Sequence, residues 1–374
     1  MHSAAQGWLV LKLTDSPFYL GLAGTAGSMP ILLFTLAGGV AADRFPKRYI
    51  ILTMDIILMF LTLTLAILVS MAMVNIWHVL IIAFLIGTAY AFEIPARQSF
   101  FIELVGRENL LNAIALNSAI FNGARTVGPA IAGILIGRLG VDICFYINAF
   151  SFLAVITGLL KIRFDKQEIK KIKSVSIKKE FKEGLKYIFS ESRVYTLILF
   201  IGLISFFGFP YITFLPVYAR DILGTGAEGL GILMALAGAG AFTGAISLAI
   251  KGDSLSKEVH LVTSALVFSS ALFIFSLSTI TWLSYIMLFL IGWGAVNQIA
   301  TANSLLQLEV PDGLRGRVMS SFTLVFLGMA SLGNFIVGSL AHYTNTQTAL
   351  LICASICLFI TITYKQRGHA STVC

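Results

Sequence analysis

The chain has 374 residues, of which 57% are hydrophobic and only 12% charged, with a mean hydropathy of +0.90. An ordinary soluble chain carries roughly 25% charged residues, so the composition excludes a soluble globular protein and implies an integral membrane protein. The net charge of +8 does not argue for a nucleic-acid partner, because the basic residues gather in loops between apolar runs and not on one folded face.

Strands of a transmembrane barrel alternate over about 10 residues, and the apolar runs here are too long for that, so the spans are helices and the fold is all-α. Residues 1–13, MHSAAQGWLVLKL, form a stub too short to cross a core of about 30 Å at 1.5 Å per residue. Residues 14–17 read as a turn. Full spans are predicted at 18–42, 49–71, 76–96, 110–137 and 142–162. After a lysine-rich segment at 161–193, the plan repeats at 194–219, 230–250, 260–278, 282–307, 318–342 and 348–364. Three units follow: an N-terminal helical half (1–162), a basic linker (163–193) and a C-terminal helical half (194–374).

In the linker, Phe181, Leu185 and Ile188 recur at helical spacing beside Lys178, Lys179, Lys182 and Lys186. Such a helix lies on a membrane surface or stands in solvent as a plain connector. Alternating the spans puts Arg44, Arg97, Arg107, the linker, Lys251, Arg315, Arg317, Lys365 and Arg367 on one side of the bilayer. The opposite side keeps Lys12, Arg138 and Arg220. By the positive-inside rule the first side, with the C-terminus, is cytoplasmic. Trp77 and Trp282 open spans from the other side, as an interfacial aromatic belt requires.

An internal repeat supports the two halves independently. An offset of 205 residues pairs Ser99 with Ser304, Val105 with Val310, Gly123 with Gly328, Gly128 with Gly333, Ile131 with Ile336 and Gly133 with Gly338, without a gap. An offset of 210 pairs Leu20, Gly21 and Asp43 with Leu230, Gly231 and Asp253. Parallel duplication of this kind relates two six-helix halves by an axis along the membrane normal. The second offset sets Tyr195 at position −15, ahead of Met1, which leads us to expect an incomplete first helix.

Residues 38–48, GGVAADRFPKR, form a short polar loop between two spans. Pro46 fixes its own φ and pushes Phe45 out of the helical region, so the helix before it should stop near Arg44. The loop resembles the signature G-x-x-x-D-[RK]-x-G-[RK]-[RK] of major facilitator superfamily transporters, matched by Gly39, Asp43, Arg44, Lys47 and Arg48, with Pro46 in place of the second glycine. The resemblance implies a gate, in which Asp43, Arg44, Lys47 and Arg48 lock the cytoplasmic ends of the halves in one state and release them in the other. The plain alternative is a solvated carboxylate at the membrane boundary.

Arg125 stands at the middle of its span, where an arginine costs at least about 2.5 to 3.5 kcal/mol. Its repeat partner is Ala330, so the duplicated scaffold does not require the charge. Arg125 meets an anionic or polar substrate, pairs with a residue upstream of the stub, or bonds backbone carbonyls. Around it, Gly123, Gly128, Pro129 and Gly133 permit close helix approach and a kink. They loosely resemble the G-P-x-x-G motif of major facilitator antiporters, with Ala132 replacing a glycine, which leans toward export. Glu93 and Asp55 are buried carboxylates that serve as proton carriers or pair with Arg97 and nearby loop bases, the latter reading favoured for Asp55. Phe206, Phe207, Tyr90, Tyr211, Trp293, Asn297 and Gln298 are placed near a central cavity by the resemblance, though each also suits packing.

Gly224, Gly226 and Gly229 spell G-x-G-x-x-G, but no strand precedes them and a dinucleotide site is not expected. Cys353 and Cys357 sit one turn apart in an apolar helix and read as packing. The histidines and cysteines show no metal spacing and no nucleophilic set, so no metal, cofactor or catalytic residue is expected. The stretches PARQSFFIELVGRENLLNAIALNS, NGARTVGPAIAG, GFPYITFLPVYARDILG and LLQLEVPDGLRGRVMS resemble the branch of bacterial enterobactin exporters and macrolide efflux proteins. That resemblance implies proton-driven export of a small amphipathic compound by alternating access, by a monomer in the bacterial inner membrane, with protons and membrane lipids as its other partners. The rivals are an importer or lipid flippase of the same fold, and a non-transporting truncated remnant.

Overall fold

The computed structural model describes residues 1–105, 110–162, 177–251 and 256–370. Arg107, Asp253, Cys374 and the linker residues 163–176 lie outside the described residues, as do the side chains of Lys178, Lys179, Phe181, Lys182, Lys251 and Arg367. Among the described residues every regular element is helical.

The N-terminal half comprises α1 (His2–Thr14), α2 (Pro17–Arg44), α3 (Lys47–Ser70), α4 (Ile76–Val105), α5 (Leu110–Leu139) and α6 (Val141–Lys161). Helix α7 (Ile177–Ser190) follows the linker. The C-terminal half comprises α8 (Ser192–Gly208), α9 (Tyr211–Val217) with a π turn at Tyr218–Ile222, α10 (Gly226–Lys251), α11 (Lys257–Leu277), α12 (Thr281–Glu309), α13 (Asp312–Tyr343) and α14 (Thr346–Ala370). Ten stretches of the described residues are long and apolar enough to cross a membrane. The 30-residue α5 adds another by length, about 45 Å at 1.5 Å per residue. We call the side that carries the α2–α3 loop the basic face, and the other the far face.

Local chemistry explains the ends. Helix α2 stops at Arg44 because Phe45 is extended (φ −114°, ψ 154°) ahead of Pro46, which opens α3. Helix α1 ends in left-handed Asp15 (φ 49°), whose N–H returns to Leu11 O. The predicted uninterrupted span at 194–219 differs in detail. The chain breaks at Phe209 and Pro210, restarts at Tyr211 and widens into the π turn, because Pro210 and Pro216 each lack an N–H to donate. Helix α1 takes in the first half the place that α9 and the π turn take in the second, since the 210 offset sets His2 against Ile212.

Helix α7 packs against the C-terminal half, a contact that neither sequence reading of the linker named. It docks on the C-terminal half: Arg317 on α13 donates to Glu183 at 2.6 Å, Ile188 is buried, and Gly184 lies flat against Arg317.

The halves meet along two crossings, α2 on α13 and α5 on α10. A Cβ on Gly21 would stand 2.9 Å from Gly338 Cα, and one on Gly133 would stand 2.7 Å from Gly231 Cα. These are one contact seen twice, for the repeat carries Gly21 onto Gly231 and Gly133 onto Gly338. The next contacts obey the same relation. Ser28 Oγ donates to Ser331 Oγ at 2.9 Å, and a Cβ on Gly238 would stand 2.9 Å from Thr126 Cα, the counterpart of Ser331. Helix approach this close needs small residues, since in lipid only packing and hydrogen bonds hold helices together.

Candidate functional site

Polar side chains gather at three depths between the faces. At the basic face, Asp43 and Arg44 are exposed on the last turn of α2. Arg48 turns inward and donates through Nη2 to Leu160 O on α6 at 3.0 Å, and Lys47 is half-buried beside it. The basic-face ends of α2, α3 and α4 close over a small apolar cluster of Ala42, Ile51, Ala96 and Phe100, separate from the main core.

Deeper in the same half, α3 and α4 bring together Asp55, Glu93 and Arg97. Arg97 Nε donates to Glu93 Oε1 one turn back on the same helix, and Arg97 Nη2 stands 3.4 Å from Asp55 Oδ1. Asp55 is fully buried and Glu93 is 4% exposed, while Arg97 keeps a half-exposed side chain. Asp55 Oδ2 has no hydrogen-bond partner among the described residues. Two carboxylates thus share one guanidinium. The sequence left open whether these carboxylates were free or paired. The structure pairs both with Arg97.

At mid-depth, Arg125 lies where α10 crosses α5: a Cβ on Gly238 would come 2.8 Å from Arg125 O. Its side chain is exposed, and it is electrostatically coupled to Tyr211, which the other half buries to 2% exposure. Of the motif around it, Gly133 and Pro129 O abut Gly231, Gly128 lies near the Met1 amine, and Gly123 faces open space.

The amides and the tryptophan expected near the centre are engaged inside the C-terminal half. His260 Nε2 donates to Asn297 Oδ1 at 3.0 Å, Asn297 Nδ2 donates to Trp293 O at 2.9 Å, and Trp293 Nε1 donates to Ser247 Oγ at 3.1 Å. This chain ties α12 to α11 and α10. Asn297 and Gln298 are both fully buried, and the Gln298 amide has no partner among the described residues. Phe207 is half-buried and packs edge-on against Phe206 at 4.7 Å. Tyr90 stands one turn before Glu93, within electrostatic range of the Asp55, Glu93 and Arg97 group.

Sequence reasoning missed the far-face closure. Arg220, on the π turn, binds Asp15 and donates to Leu11 O at 3.3 Å, both in the other half, and meets Asp221 at 2.6 Å. Arg138 on α5 approaches Glu228 on α10 at 3.6 Å. Both arginines stand on the side that has few basic residues, and that scarcity was the available signal.

A family model described as "Transmembrane secretion effector" matches residues 1–370. The chain belongs to this family of major facilitator superfamily transporters. Among its relatives within the superfamily, the staphyloferrin A transporter of Staphylococcus aureus is 25% identical over 362 residues, covering 96% of this chain and 89% of the relative. The multidrug efflux pump Tap of Mycolicibacterium fortuitum is 24% identical over 354 residues, covering 92% and 86%. The solved nucleoside transporter NupG superposes with a TM-score of 0.78 at 12% identity, covering 97% of this chain and 93% of that one. A bacterial homologue of the human lysosomal transporter Spinster, solved inward-facing and unoccupied, gives 0.73 at 14% identity over 97% and 93%. The solved structures establish the major facilitator fold. The family and the curated relatives establish a transporter, not an enzyme, acting in the membrane on small molecules.

Proposed function

We propose that this transporter exports a small amphipathic compound across the bacterial plasma membrane in exchange for protons, working as a monomer with its basic face and C-terminus in the cytoplasm. The observation that carries the reading is the pair of repeat-related crossings. They join two similar bodies from the far face to mid-depth, through Gly21 on Gly338, Gly133 on Gly231 and the ion pairs of Arg220 and Arg138. Two bodies so joined alternate by rocking, and breaking the far-face contacts while forming new ones at the basic face exposes the centre to the other side.

Asp43, Arg44, Lys47 and Arg48 supply the contacts of the opposite state. An exposed ion pair formed there contributes about 0.2 to 1 kcal/mol, enough to bias two states of similar free energy without freezing either. The Asp55, Glu93 and Arg97 group is the proton-coupling element: Arg97 compensates one charge and the second carboxylate loads and unloads a proton. Export is supported by the resemblance of the Pro129 motif to antiporters and by a relative named an efflux pump.

The test is transport in everted membrane vesicles carrying the overexpressed protein. Imposing an acidic interior should drive uptake of a fluorescent amphiphile such as ethidium or a naphthyl acid, and a protonophore should abolish it. Uptake that ignores the protonophore, or that appears only in right-side-out vesicles, overturns the direction or the coupling.

A further inference from the structure

The two crossings are related by the repeat, yet they are not joined alike. On the α2–α13 side, side chains bond across the halves. Thr25 Oγ1 is shared between Gly21 O on its own helix at 2.8 Å and Ser331 O at 3.1 Å. Ser28 Oγ lies 2.9 Å from Ser331 Oγ, which also reaches the Met29 sulfur at 3.9 Å. On the α5–α10 side the repeat puts Ala235, Gly238 and Ala239 where α2 has Thr25, Ser28 and Met29. None of these three has a side chain able to bond the other half, and Thr126 is the counterpart of Ser331.

The second difference lies one turn nearer the basic face. A Cβ on Gly328 would stand 2.8 Å from Leu32 Cδ1, so α2 and α13 are still in contact there. The repeat carries Leu32 onto Phe242 and Gly328 onto Gly123. A Cβ on Gly123 would meet nothing within 4 Å among the described residues, although phenylalanine is the longer side chain. Gly231, Ala235, Gly238, Phe242 and Ile246 recur at helical spacing along one face of α10. Gly231 and Gly238 of that face abut α5, whereas Phe242 and Ile246 are 41% and 44% exposed. The face that crosses α5 thus loses its cover beyond Gly238, at a depth where the α2–α13 flank is closed.

We propose that the α2–α13 crossing is the hinge kept through the transport cycle, and that the halves part on the α5–α10 flank, between Gly123 and Phe242, to admit the transported compound. In lipid, packing and hydrogen bonds are what hold helices together, so the flank that has both persists and the flank with less of each opens. The glycine contact of Gly133 with Gly231 lies on the far-face side of the opening and is retained. Exposed Phe242 and Ile246 give an amphipathic compound an apolar border to pass. The inference rests on the transport reading above for the passage of a compound, and its first test does not.

That test compares two double-cysteine variants of the full chain in membranes, Leu32→Cys with Gly328→Cys and Gly123→Cys with Phe242→Cys. Shortening Leu32 removes the side chain that a Cβ at 328 would meet. Under copper phenanthroline, with peptide mapping to identify the linked pair, the α2–α13 pair should form its disulfide about fivefold faster, the population ratio that one or two interhelical hydrogen bonds sustain. Adding the near-isosteric Thr25→Val and Ser331→Ala should remove most of that advantage. No substrate, gradient or direction enters, so the result stands even if proton-driven export fails. Carbene footprinting of the unmodified chain needs no variant at all, and should label Phe242 severalfold more than Leu32. In transport, the α2–α13 link should leave ethidium movement across the membrane unchanged, and the α5–α10 link should abolish it until a reductant is added. Equal linking rates, equal labelling of Phe242 and Leu32, or transport that survives the α5–α10 link overturns the proposal.

Discussion

The two halves share a scaffold and differ in charge. In the N-terminal half α4 carries Glu93 and Arg97, and the 205 offset places Gln298 and Ala302 at the same positions on α12. The first half buries two carboxylates against one half-exposed guanidinium at one helix pair, whereas the second has a hydrogen-bonded chain of His260, Asn297, Trp293 and Ser247 with no ion pair in it. The second half shows that this helix packing holds without ion pairs. The charges of the first half are therefore an addition to the fold, and buried ionic groups are weak contributors to stability in any case.

The comparison breaks most severely at what the halves have in common, the glycine crossings. Gly231→Leu places a side chain where Gly133 Cα and Pro129 O already stand at 2.8 Å from its Cβ. It should abolish transport and sharply lower the yield of monodisperse protein, as should Gly338→Leu at the twin crossing. Normal transport by either would show that the crossings are incidental.

Arg97→Ala comes next. It leaves Asp55 and Glu93 buried without their cation, a loss of about 2 to 3 kcal/mol after discounting the buried-pair figure for a half-exposed arginine. Adding Glu93→Gln converts the first half to the Gln and Ala of the second, and should return most of the lost thermal stability in detergent while transport stays absent. Recovery of transport as well would remove the distinction between the halves.

Glu93→Gln alone should have a smaller effect on stability and a selective effect on function. Substrate binding persists, while uptake into everted vesicles no longer responds to an imposed proton gradient. An unchanged gradient dependence would return these carboxylates to a structural role. The mildest change is Asn297→Ala in the neutral half, which removes hydrogen bonds worth about 1 kcal/mol each and should lower the melting temperature by a few degrees with transport retained. Loss of transport there would move the functional centre into the second half.

How much of this was legible depends on whether the information is local. The end of α2 at Arg44 was readable because Pro46 acts on its immediate neighbours, and the spans were readable because bilayer thickness sets a length. The repeat announced two halves, and the offsets that paired Gly21 with Gly231 and Gly133 with Gly338 already held both crossings. What they could not say is that each pair meets the other across the seam, since an offset relates equivalent residues and not touching ones. The partner of Asp55 lies 42 positions away on the next helix, and choosing Arg97 over loop bases required the helix rotations. The docking of α7 was hidden for the same reason. An amphipathic face declares that it will be covered and is silent about the cover.

The glycine crossings have a mechanical consequence. The two closest crossings define a line, and on the proposed rocking motion the halves turn about it. Here the bearing surfaces are bare backbone at Gly21, Gly338, Gly133 and Gly231. Turning about that axle requires no side chain to leave one rotamer for another at the point of greatest pressure. On the proposed rocking motion, the resistance lies in the far-face ion pairs of Arg220 and Arg138.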